Sequence, residues 1–139
     1  MKSRAQVVAL VVTLCFAVLA TPAVAVSPTL TGPVVTVVAA SQFDSGLFVA
    51  LVTAYGPADI IDAQLVVNNT TPVVPAKVES YEAPGSKNAT LFKIISYTPV
   101  VQPGDTLTAI VTDTAAAHAT RTAVCGRGIP LLHIASLCK

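Results

Sequence analysis

The sequence has no tryptophan, and aromatic residues of every kind make up only 5% of it. A core without that mass has to be filled by many small and branched side chains. Valine, threonine and alanine supply them, a composition that favours strands over helices. Charge is scarce too, with Asp, Glu, Lys and Arg together at 11%. Lys and Arg form no cluster, which excludes nucleic acid and a lipid headgroup as expected partners. Histidine occurs twice and methionine once, at Met1. No GxSxG elbow, HExxH pair or phosphate-cradling glycine loop is present, so neither an enzyme nor a cofactor is expected.

Long apolar runs are confined to the N-terminus. Lys2 and Arg4 precede an apolar stretch over residues 5–20, Thr21-Pro22 breaks it, and Ala23-Val24-Ala25 forms a small-x-small site. This pattern predicts a secretory signal peptide over residues 1–25, cleaved before Val26. The stretch is shorter than the roughly 20 residues a membrane span needs, so no membrane association is expected after its removal. Loss of Lys2 and Arg4 leaves six basic against seven acidic residues, a formal charge of −1. The remainder has the size of one domain.

Cysteine is also rare: Cys15 lies in the leader, leaving Cys125 and Cys138. In an exported chain such a pair is read as a disulfide, here closing CGRGIPLLHIASLC. The alternative is a small exported metal-binding protein using His118, Cys125, His133 and Cys138, since thiolate and imidazole suit zinc or copper. No CxxC or HxxxH pair pre-organises that set, and a cupredoxin-type copper site would need a methionine close by.

Seven strand-like runs follow the leader. Residues 33–41 are apolar behind Pro33, a proline placed where an edge strand tolerates it. Residues 47–55 are apolar on both faces and predict a central strand. Over residues 60–68, Ile61, Ala63, Leu65 and Val67 alternate with polar side chains, placing one face in solvent. Residues 76–81 carry Lys77 and Glu79 outward, as an edge strand does to discourage aggregation. Residues 89–97 form the fifth run. In residues 106–112, Leu107, Ala109 and Val111 alternate with Thr106, Thr108, Ile110 and Thr112, and residues 119–124 return as a hairpin partner, with His118 in the turn. Turn residues separate the runs and no helical period appears, which predicts an all-β antiparallel sandwich of about seven strands.

The segment VQPGDTL, residues 101–107, resembles the linker before the sixth strand of fibronectin type III and related immunoglobulin-like modules. The following TLTAIVTDTAAAHATRTAV is similar to the last hairpin of bacterial-type immunoglobulin-like domains. Leu107 stands where that family's corner tyrosine would be. The resemblance implies an immunoglobulin-like β-sandwich over residues 26–124; beyond it, the cysteine pair predicts residues 125–139 as a disulfide-closed C-terminal flap. It also implies a secreted, periplasmic or cell-surface adhesion or binding module whose partner is a protein or glycan. Copper oxygenases of this general fold begin their mature chain with histidine, whereas Val26 is expected here.

Three further groups of residues carry expectations. Asn68, Asn69 and Asn88 each begin an N-x-Thr triplet, and Asn69 and Asn88 are glycan acceptors if the chain enters a eukaryotic secretory pathway. Asp44, Asp59, Asp62, Asp105 and Asp113 lie singly in turns, where aspartate caps its own backbone rather than binding calcium. Residues 129–135 (IPLLHIA) are the most apolar stretch outside the strands. They are expected to cover one end of the sandwich, because exposing them would be costly; the other reading is an apolar patch for a partner.

Overall fold

The structure, a computed structural model, describes residues 30–82 and 89–139. The expected leader and Asn88 lie outside them. The β-branched runs form nine strands: β1 Val34–Phe43, β2 Phe48–Tyr55, β3 Ile60–Val67, β4 Thr71–Pro72, β5 Val74–Glu82, β6 Thr90–Thr98, β7 Thr106–Asp113, β8 His118–Arg127 and β9 Ile134–Cys138. All pairings are antiparallel, in the order β4-β3-β7-β8-β9-β1-β2-β6-β5.

The all-β class and the seven expected strands are present; the count of about seven falls short by β4 and β9. The first is a two-residue pairing of Thr71–Pro72 with the end of β3, in a stretch expected to be loop. The second corrects the C-terminal flap. Residues of that segment form a strand inside the sheet, paired with β8 on one side and β1 on the other. Ser136 and Cys138 turn their side chains inward while Leu137 is half-buried, and these three residues pair with both neighbours.

Strand β4 and strand β5 lie at opposite ends of the order, yet only Val73 separates them. A one-residue link cannot span a flat sheet, so the two ends meet. Val73 is buried and donates its N–H to the Leu65 carbonyl at 2.9 Å. Accordingly a single core draws Phe48, Val52, Phe92 and Ile94 from one half of the order and Leu65, Leu107, Ala109 and Val111 from the other. Strand β8, ten residues long, joins the halves: residues 118–124 pair with β7, and residues 125–127 with β9.

Two face assignments differ from the alternation in the sequence. Ile61 is 59% exposed, while Ile60 is buried. A bulge between Ile60 and Asp62 inserts a residue against β7 and rotates Ile61 outward. Thr108 is buried although its neighbours Leu107 and Ala109 also point into the core. Its hydroxyl lies 2.9 Å from that of Thr122 and 3.3 Å from Asn69 Oδ1, so polar side chains cover it.

Buried polar groups hold the linker before β7 to the sheet. Val101 is buried, and its N–H donates to Gln42 Oε1 at 2.9 Å. Its carbonyl accepts from Ser136 Oγ at 2.8 Å. Gln42 and Ser136 are cross-strand partners on β1 and β9, so one pair holds both backbone polar groups of one residue. The hairpin turn is fixed similarly: Asp113 is buried, and its Oδ1 accepts the Ala115 and Ala117 N–H groups, each at 2.9 Å.

Candidate functional site

Strands β8 and β9 are joined at one end of the molecule by residues 128–133. Gly128 begins the connection, and a Cβ there would collide with the Ile134 carbonyl. Pro130–Leu132 form a single 3-10 turn, closed by N–H donation from Leu132 to the Ile129 carbonyl and from His133 to the Pro130 carbonyl, each 3.0 Å. His133 ends it in the left-handed region at φ 55°. The His133 carbonyl accepts the Asp44 N–H at 2.8 Å, tying the turn to the β1–β2 loop.

The turn stands on a covalent base. Cys125 and Cys138 are opposite each other on β8 and β9, with their sulfurs 2.02 Å apart in a disulfide. Val124 and Lys139 exchange backbone hydrogen bonds beside them. The bonded pair therefore occupies the neighbouring position, where antiparallel side chains come closest. For a loop of this size the constraint on the unfolded chain is worth about 3 kcal/mol.

This pinned turn presents its apolar side chains to water. Leu131 is 92% and Leu132 58% exposed, and Ile129 is exposed as well. The expectation that residues 129–135 cover an end of the fold is thus overturned. Both flanking strands are committed to the ladder, so their connection runs past the end of the sheet and has no core to fold onto. Each exposed leucine forgoes roughly 1.5–3 kcal/mol of burial. Beside the turn, an open hollow of about 380 Å³ on the outer face of β1, β2 and β9 is lined by Ala39, Phe43, Val49, Leu51 and Leu137. Phe43, at the edge of this hollow, precedes Asp44, whose N–H is bonded to the turn.

The residues singled out in the sequence are dispersed. Both cysteines are in the disulfide and offer no thiolate. His118 starts β8, with Nδ1 3.0 Å from the Thr112 hydroxyl, and His133 lies beyond the other end of that strand. The whole of the ten-residue strand, on the order of 30 Å of extended chain, lies between their positions. Among the described residues no three His, Cys, Asp or Glu side chains converge on a metal-sized space. His133 instead faces Asp44, Nδ1 to Oδ2 3.8 Å, with both side chains exposed.

Asp105 and Asp113 do hold backbone groups, as turn aspartates are expected to. The Gln102 N–H, and after it the Asn68 amide, keep the Asp105 carboxyl below the usual carboxylate range. Asn68 is consumed by that network: its Nδ2 donates to Asp105 Oδ1 at 3.0 Å and its Oδ1 accepts the Thr106 N–H at 2.9 Å. Asn69 is exposed in the left-handed region at φ 59°. The apolar turn itself was visible in the sequence as Ile-Pro-Leu-Leu, with only its exposure misjudged. No family model, curated protein or solved structure matches the chain.

Proposed function

We propose that this protein is a secreted or cell-surface, non-enzymatic binding module of immunoglobulin-like type, and that residues 129–132 are its contact with a partner protein. The observation that carries the reading is the nearly complete exposure of Leu131 on a turn fixed by backbone hydrogen bonds and a disulfide. A rigid apolar projection loses little conformational entropy on docking, and such side chains become the buried anchors of interfaces. The one-residue link between the ends of the strand order, the single core and the passage of β8 between two neighbourhoods support a two-layer sandwich. A turn that presents Ile129, Leu131 and Leu132 to water favours a protein over a glycan.

The test is photo-crosslinking of the labelled protein to intact cells of its native source. A Leu131→Ser/Leu132→Ser variant should lose the crosslinked partner while keeping its melting temperature. Equal crosslinking by the variant would sink this assignment of the contact.

A further inference from the structure

Strand β5 ends the sheet, and among the described residues only β6 pairs with it. Eight of its nine residues are exposed, and Glu79 is half-buried. At its centre stand Lys77, Val78 and Glu79. Lys77 Nζ and Glu79 Oε2 are 2.6 Å apart, and the Tyr81 hydroxyl donates to Glu79 Oε1 at 2.6 Å. We propose that this edge pairs antiparallel with β5 of a second copy, about a two-fold axis through Val78.

The register follows from face and charge. A two-fold axis perpendicular to the sheet keeps core-facing side chains on one side only when a residue, rather than a gap, lies at the centre. Centring on Lys77 sets lysine against lysine, and centring on Glu79 sets glutamate against glutamate. Centring on Val78 sets Lys77 opposite Glu79 of the second copy twice, and Val78 opposite its own equivalent. Opposite charges directly across a ladder stabilise it, whereas like charges destabilise it. Val78, 47% exposed although its ladder partner Ile94 is buried, gains an apolar neighbour in this arrangement.

The pairing is self-limiting. Bulges on either side of Pro75 interrupt the strand's regular spacing, which confines the shared ladder to roughly residues 76–80. A two-fold contact uses the β5 edge of both copies at once, so no β5 edge is left to recruit a third. The assembly closes at two copies.

Sedimentation of the protein across a concentration series tests this. The wild type should show a monomer–dimer equilibrium. Lys77→Glu and Glu79→Lys should each weaken self-association about tenfold, as two symmetric attractive pairs become repulsive. Mixing the two variants should restore association, because the glutamate introduced in one meets the lysine introduced in the other. Each variant still lacks its internal ion pair, so rescue by mixing reports on the interface rather than on stability. Leu131→Ser/Leu132→Ser should dimerise as the wild type does, which separates this surface from the apolar turn. A wild type that remains monomeric throughout, or a mixture no better associated than its components, would overturn the proposal.

Discussion

Replacing Gln42 by methionine should destabilise the protein by roughly 1–3 kcal/mol, and the reason lies in one amide. Gln42 is fully buried and makes three hydrogen bonds. Its Nε2 donates to the carbonyls of Phe43 and Leu47, both at 3.3 Å. Those carbonyls already accept the Gly46 and Phe43 N–H groups at 3.0 and 2.8 Å, so losing the glutamine leaves neither without a donor. The Val101 N–H is different. Val101 is buried and Gln42 Oε1 is the acceptor at 2.9 Å, so the substitution strands a donor away from water. An unsatisfied buried group of that kind accounts for the stated magnitude, and methionine keeps the chain length so that little of it comes from a cavity. Urea unfolding should show a lower midpoint at unchanged slope. Hydrogen exchange at the Val101 amide should accelerate along with it. Ser136→Ala, which removes the donor to the Val101 carbonyl, should lose about 1 kcal/mol. The double variant should lose less than the sum, since both bonds hold the same residue. Wild-type stability in Gln42→Met, with slow exchange retained at Val101, would refute the clamp.

Two other perturbations test separate parts of the fold. Leu107 is fully buried, so Leu107→Ala should destabilise by about 2–5 kcal/mol by urea denaturation; Thr108→Ala, which removes a hydroxyl facing Thr122, should lose about 1 kcal/mol. The Gln102 N–H and the Asn68 amide hold the Asp105 carboxyl below the usual carboxylate range, so its ionised form stabilises the fold above the unfolded pKa, and that contribution disappears as pH falls through the lower folded value. The wild-type melting temperature should therefore drop below about pH 4 more steeply than that of Asp105→Asn, and parallel acid limbs would contradict the carboxylate's role.

Much of the sheet was legible because local pattern and tertiary role coincide. Alternation around Leu107, Ala109 and Val111 marks β7, and Lys77 with Glu79 marks β5 as an edge. The C-terminal strand was not legible as a strand. IASLC is short, and what makes it a strand is, beside a hairpin with β8, a ladder with β1 near the other end of the described chain, which no window of sequence contains. Ile61 fits a period of two until the bulge displaces it. Gln42 and Ser136 look like surface residues until the Val101 peptide is placed between them. The exposure of Leu131 inverts the rule that apolar segments are buried. Hydrophobicity says how strongly a side chain favours the interior, whereas the ladder decides whether an interior is within reach.

The disulfide between Cys125 and Cys138 also decides how the molecule carries tension. Strand β9 runs antiparallel to its neighbour β1, so a pull at Lys139 against the start of β1 would otherwise peel the last strand away one hydrogen bond at a time. The sulfur bridge lies one residue inside Lys139 and passes that load straight to Cys125, in the middle of the sheet. Residues 126–137 are then a covalent side loop, outside the line of force. The turn bearing Leu131 keeps its shape under a load that would straighten an unbridged chain.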